Sequence, residues 1–517
     1  MKKILGIELG STRIKSVLID ESATVVAQGL YEWENQLVDG LWSYSLKDVE
    51  MGLQTSYANL AVNYKNKFNS ELTEVSAIGI SAMMHGYLAF DKDGNLLVPF
   101  RTWRNTNTEA AADELTKVLQ FNIPMRWSVS HYYQAIIDNE EHIERVDFIT
   151  TLAGYVHYKL TGKRALGVGD ASGMFPIRDG NYDKDMLCGF NNLLKQKNIE
   201  RPFEEILPSI LFAGEDAGVL TEEGAKWLDP TGRLSAGCRL CPPEGDAGTG
   251  MIATNSVTPR SANVSAGTSA FLMVVLDKNL DAYYKEIDVV TTPHGAPVAM
   301  VHVNNFCSEI TAWTNLFEEV IALSGGLIDR SKLFDALYHK SLEADDDCGG
   351  LVGYNFLSGE PIVGISAGVP MLARCSDGKL TLANFMRMHI YSALGALSMG
   401  CDILSRENVK IESICGHGGF FKAEAVGQKA MSAALGSPVT VMQNASEGGA
   451  WGIAVLALFM ISEKKYLEEF LEEIFEKNEK SIVSADEKEK EAFESFMKKY
   501  RAGLKIEKNA SEVLYNA

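Results

Sequence analysis

The chain carries one hairpin pattern twice, half its length apart, and this duplication restricts the fold more than any other feature. Near the start, Ile4-Leu5-Gly6-Ile7-Glu8 reads as a strand, Leu9-Gly10-Ser11-Thr12 as a tight turn, and residues 13–19 as the returning strand. In mid-chain, residues 262–265 repeat the strand, Ala266-Gly267-Thr268-Ser269 the turn, and residues 270–276 the return. Gly10 thus pairs with Gly267. One such hairpin is common; two at this offset point to two lobes of one design.

Two further correspondences support the first. Residues 75–80 form an apolar strand ending in Ser81-Ala82-Met83-Met84-His85-Gly86, and residues 411–415 another ending in Gly416-His417-Gly418-Gly419. Glu244-Gly245-Asp246-Ala247-Gly248 compares with Glu447-Gly448-Gly449-Ala450, each opening a Gly/Ala-rich stretch like the start of a closely packed helix. The halves are therefore 1–257 and 258–517. Helical stretches at 108–119, 384–404 and 431–435 alternate with the strands, which indicates α/β layers. Residues 109–182 lack a counterpart in the second half and read as an insertion on the substrate side of the first lobe. Residues 462–480, with Tyr466, Phe470 and Ile474 at helical spacing among charges, read as a surface helix.

At 517 residues the chain exceeds one core, and its net charge of −20 disfavours nucleic acid, whose phosphates need clustered Lys and Arg. The first residues are no signal peptide, and the longest apolar run, 450–461, is too short to span a bilayer. Eight scattered cysteines read as reduced thiols. The expectation is a cytoplasmic protein with small-molecule partners and neither membrane nor nucleic acid, a homodimer being left open.

A glycine–hydroxyl turn between strands can bring N–H groups and hydroxyls against phosphate oxygens, and two facing turns can clamp one triphosphate. Either turn alone reads better as an ordinary hairpin; the symmetric pair favours phosphate binding. No GxxxxGK[ST] run and no GxGxxG after an early strand occurs, so neither a P-loop nor a dinucleotide site is expected. Asp246, in a glycine-rich loop after a strand, is placed to take a hydroxyl proton as oxygen attacks a γ-phosphoryl group, or to cap a helix. Glu8 ends the first strand beside the turn, where it either holds Mg²⁺ through water or faces solvent. His85, in Met84-His85-Gly86, can donate to a sugar oxygen or serve structure. Trp103-Arg104-Asn105 suits a polyol by stacking and hydrogen bonding, or simple packing. Gly416-His417-Gly418-Gly419 lets backbone approach a flat adenosine, or makes a turn. Cys238 and Cys241 lack a second Cys/His pair and precede Pro242, so neither zinc nor redox chemistry is expected.

Taken in order, these pieces resemble the FGGY carbohydrate kinases, from Gly6-Ile7-Glu8-Leu9-Gly10-Ser11-Thr12 to Glu447-Gly448-Gly449-Ala450-Trp451-Gly452. The resemblance implies two duplicated actin-like (ribonuclease H-like) α/β lobes around a cleft, with sugar and base on 1–257 and ATP on 258–517. It implies transfer of the γ-phosphoryl group of ATP, with Mg²⁺, to a small sugar, a ketopentose such as xylulose. Asp246 is then the catalytic base and a metal contact, with Glu8 as the other. Met84, His85, Trp103 and Arg104 line the sugar pocket. Gly10, Ser11, Thr12, Arg13, Gly267 and Thr268 hold phosphates, and Gly416, Gly418 and Gly419 the adenosine. Asp170-Ala171-Ser172-Gly173 looks like the family's Asp-Ala-Ser stretch near the sugar. Glu8 for the usual Asp departs at the metal, while Ala247 for Asn and Trp103-Arg104-Asn105 for Trp-Asn-Asp leave ribulose, gluconate or glycerol open. The rivals are an actin-like ATPase acting as chaperone or activator, which no sugar would stimulate, and an inactive sugar-binding regulator.

Overall fold

The computed structural model describes residues 2–442, 448–476 and 480–515, so Glu447 of the third correspondence lies outside the described residues. Two seven-stranded sheets dominate. The first is built on β1 (Ile4–Leu9), β2 (Arg13–Ile19), β3 (Val25–Glu32) and β4 (Ala77–Ala82). β2 pairs antiparallel with β1 and with β3, while β4 lies parallel on the other edge of β1, Leu9 opposite Ala82. The second sheet repeats the plan. β5 (Ser261–Ala266) returns antiparallel as β6 (Ala270–Val275), which pairs with β7 (Pro297–Val303), and β8 (Ser413–His417) lies parallel on β5. The duplicated hairpins and the two later strands thus occupy equivalent places.

β4 is buried along its whole length, and β1 nearly so. Such continuous apolar runs are what a central strand covered on both faces requires. The helix Leu46–Phe68 packs on the β2–β3 side. The covering element on β1 and β4 comes from the far end of the chain. The Gly/Ala-rich stretches become α1 (Asp246–Ala253) and α2 (Gly448–Met460), which pack on each other, and α2 also lies on β1 and β4. Its backbone touches the sheet: a Cβ at Gly6 would stand 2.1 Å from the Ala450 carbonyl oxygen. A helix of the second half thus forms part of the first lobe's core.

The other expected helices run Glu109–Leu119, Leu382–Arg406 and Val426–Leu435. The stretch read as one surface helix over 462–480 is different. Its helix covers only Leu467–Phe475, and Lys480–Val483 is a strand. Phe470 is buried, its ring 5.3 Å from that of Phe459 on α2, so the apolar spacing marks a packed face rather than a free one.

Gly6→Ala should force α2 off β1. Overpacking of this kind costs about 1–3 kcal/mol. Thermal denaturation followed by circular dichroism should show a lowered Tm for Gly6→Ala. Gly250→Ala, where a Cβ meets open space, should melt no lower than the wild type.

Candidate active site

The parallel pairing of β1 and β4 brings two loop starts together, and the Met83 N–H donates to the Leu9 carbonyl at 2.9 Å. Glu244 and Gly245 pair onto the end of β4, opposite Ser81 and Ala82, so the chain delivers Asp246 beside Met84. Asp246 is the first residue of α1, and the capping position belongs to Gly245. Its Oδ1 accepts N–H groups from Met84 at 3.2 Å and Ala247 at 2.9 Å. Oδ2 makes no hydrogen bond among the described residues. The side chain reaches solvent, yet the protein around it raises its carboxyl above the ordinary range, against the pull of those N–H groups. One oxygen fixed and one free is the arrangement a proton acceptor needs.

Glu8 is half-buried rather than turned outward. Its Oε2 accepts the Ala450 N–H at 3.2 Å in the first turn of α2. Burial, then the charge of Asp246, raise its carboxyl to about 7. No cluster of three or more metal-ligating side chains occurs among the described residues. The two neighbouring carboxylates suit a cation that keeps its waters and takes further oxygens from a substrate, as Mg²⁺ does.

Behind Asp246 lie two more acids. Asp170 is wholly buried; Thr151 Oγ1 donates to its Oδ2 at 2.5 Å, while Oδ1 has no partner among the described residues. Burial above all, with a contribution from Asp246, raises Asp170 to about 7. Glu244 accepts N–H groups from Gly169 at 3.2 Å and Asp170 at 2.9 Å, and burial followed by the Asp170 charge raises it to about 8. The sequence reading did not single out Glu244. The available signal was an acid two residues before Asp246, paired in space with the Gly167-Val168-Gly169 stretch.

His85 sits at φ 71° and is buried. Its Nδ1 lies 3.3 Å from the Gly173 carbonyl, which can only accept, so Nδ1 carries the hydrogen. Burial, then the Arg126 charge, hold the ring neutral. Nε2 is therefore an acceptor, whereas the sequence suggested a donor.

The turns are built alike. In the first, the Gly10 N–H closes onto Arg13 O at 2.9 Å. Trp33 Nε1 donates to Gly10 O at 2.7 Å, and Tyr44 OH to Ser11 O at 2.6 Å. In the second, the Gly267 N–H closes onto Ser269 O at 2.9 Å, while Cys307 and Phe306 N–H groups donate to Gly267 O at 3.1 Å and Thr268 O at 2.8 Å. With their carbonyls held, both turns can offer N–H groups and hydroxyls to an anion. Gly418, at φ 107°, lies so near β5 that a Cβ would stand 2.3 Å from Ala266 O, which sets the Gly416–Gly419 loop beside Gly267. Trp103 Nε1 donates to Ser11 Oγ at 3.3 Å, and the Arg104 guanidinium lies 5.0 Å from the Trp42 ring and 5.8 Å from that of Trp103. Arg13 is exposed and pairs with Glu32 at 3.6 Å. The first lobe thus gathers Glu8, Gly10 to Thr12, Met84, His85, Trp103, Arg104 and Asp246. The second gathers Gly267, Thr268, Gly416, Gly418 and Gly419.

The model of the N-terminal domain of the FGGY family of carbohydrate kinases matches residues 3–231, and that of its C-terminal domain matches residues 262–461. A xylulose kinase of Haemophilus influenzae is 23% identical over 493 residues, 91% of this chain and 93% of that one. Another, of Staphylococcus xylosus, is 24% identical over 234 residues, 43% of this chain and 45% of that one. Among solved structures, a ligand-bound xylulose kinase of Lactobacillus acidophilus has a TM-score of 0.79 at 16% identity, covering 98% of each chain. A gluconate kinase of the same organism also has 0.79 at 16%, covering 99% of each.

Folded Asp170 keeps its proton up to about 7, whereas the unfolded chain releases it near 3.8. Between these values the folded state binds more protons, so stability falls as pH rises through the window. Thermal melts from about pH 4 to pH 8 should show this fall in the wild type and a shallower one in Asp170→Asn. Equal slopes would remove the assignment.

Proposed function

Because the chain belongs to the FGGY family of carbohydrate kinases, which move a phosphoryl group from ATP to an alcohol, we propose that its acceptor is a ketopentose such as xylulose and its base Asp246. The observation that carries this reading is the Asp246 carboxylate itself, one oxygen pinned by two N–H groups and the other open beside Met84.

The acceptor lies on the first lobe against Met84, His85 and Trp103. Its reacting hydroxyl gives its proton to Asp246 Oδ2. The oxygen bonds to the γ-phosphorus as the bond to the β–γ bridging oxygen breaks, and ADP leaves with that electron pair. His85 Nε2 accepts from a second hydroxyl and fixes which oxygen meets the base. The turns at Gly10 to Arg13 and at Gly267 and Thr268 hold the phosphates, and Gly416, Gly418 and Gly419 pass beneath the adenosine. Glu8, through water, and Asp246 would hold Mg²⁺, which when bound offsets phosphate charge. Closure of the lobes excludes water and suppresses hydrolysis of ATP.

This reading gives residues 1–257 the acceptor and the base, and residues 258–517 the nucleotide, with α2 returning to the first lobe. All eight cysteines are free thiols, which suits a reducing cytoplasm. Two relatives named xylulose kinase support the choice of ketopentose. Ala247 and Arg104 make ribulose, gluconate and glycerol the necessary comparisons.

Asp246→Asn should lower kcat by about 10²–10⁴-fold, the usual contribution of a general base. A coupled ADP assay across xylulose, ribulose, gluconate and glycerol checks this. Turnover near wild type in Asp246→Asn would exclude the role, and a preference for gluconate or glycerol would replace the ketopentose.

A further inference from the structure

Arg104 is a cation with a prepared seat and, among the described residues, no counter-ion. Other arginines of the first lobe are paired: Arg101 with Glu140, Arg126 with Asp288, and Arg13 with Glu32. Arg104 forms no ion pair among the described residues, although the chain carries a net charge of −20. Its guanidinium instead rests against the ring faces of Trp42 and Trp103. A weakly hydrated planar cation is held by such faces without losing its N–H donors.

The seat is itself fixed. Trp42 N–H donates to Asn105 Oδ1 at 2.8 Å, and Asn105 Nδ2 donates to Trp42 O at 2.9 Å. Asn105 is buried. The seat is also fastened to the first turn, since Trp103 Nε1 bonds Ser11 Oγ and Tyr44 OH bonds Ser11 O. Arg104 lies close enough to Tyr44 to lower that hydroxyl's pKa against burial, the larger influence. The arginine's seat therefore adjoins the first turn, while Met84 and His85 lie on the neighbouring loop.

We propose that Arg104 is a catalytic residue whose guanidinium donates hydrogen bonds to the oxygens of the γ-phosphoryl group as it passes from ATP to the acceptor. This rests on the kinase reading but not on which sugar is used. Phosphoryl transfer has little covalent chemistry for the protein to perform; charge spread over the three equatorial oxygens is what must be met. A guanidinium stacked on two rings, with no ion pair among the described residues, meets it with its donors free. Asp246 takes the hydroxyl proton and ADP leaves with the electrons of the broken bond, so Arg104 neither gains nor loses a proton.

The test compares wild type, Arg104→Ala and Arg104→Lys, using the best substrate of the panel above. Arg104→Ala should lower kcat by about 10²–10³-fold with little change in KM for ATP or sugar. Arg104→Lys should recover part of the loss, and millimolar guanidinium should partly rescue Arg104→Ala. Calorimetric binding of ADP with aluminium fluoride, in magnesium buffer without sugar, should weaken at least tenfold in Arg104→Ala, while ADP alone binds as before. Three results would overturn the proposal: kcat within threefold of wild type, a kcat loss with unchanged aluminium fluoride affinity and no guanidinium rescue, or an effect confined to the KM of gluconate. If no sugar is phosphorylated by the wild type, the kinase reading fails; the aluminium fluoride comparison then still decides whether Arg104 meets the phosphoryl group.

Discussion

The contact on which the site depends is the seat of α2 on β1. At Gly6 the helix backbone comes so near the strand that no side chain fits between them. This close approach sets the first turn of α2 over the end of β1, where the Ala450 N–H meets Glu8. It also presses α2 against α1, whose first residue is Asp246. One helix thus locates both carboxylates, Glu8 and Asp246.

In the proposed reading, the doubled scaffold lets the two lobes share one nucleotide while only one of them does proton chemistry. Both lobes present a turn whose carbonyls are tied back, by Trp33 and Tyr44 in the first and by Phe306 and Cys307 in the second. The symmetry breaks at the helix starts. In sequence the first half carries an acid, Asp246, where the second half has Gly449. It breaks again in the insertion, which supplies buried Asp170 against the strand carrying Glu244. Four carboxyls, Glu8, Asp246, Asp170 and Glu244, thereby sit in one region. Desolvation by the surrounding protein leads the shift of each, and Asp246 adds to those of Glu8 and Asp170.

Much of this was legible in the residues. The hairpins at Gly10 and Gly267 announce themselves because turn chemistry is local and repeats at one offset. The Gly/Ala runs at Gly245 and Gly448 announce close helix packing for the same reason. What was not legible depended on distant partners. The hydrogen on His85 is set by Gly173, 88 positions away. The helix Leu467–Phe475 is amphipathic, but only the place of α2 shows that its apolar face is covered. Glu244 looks like a loop acid until Gly169 and Asp170 are brought onto it. Arg104 reads as a polyol contact, and its seat on the Trp42 ring could not be read from Trp103-Arg104-Asn105 alone.

The central claim is that the acid on α1 and the paired turns act on one phosphoryl group and hand it to an alcohol. Phosphorus NMR of the wild-type protein turning over ATP with the sugar panel tests this most directly. The account predicts a sugar-phosphate resonance growing one for one with ADP. Inorganic phosphate as the sole product, formed at a rate no sugar changes, would contradict it.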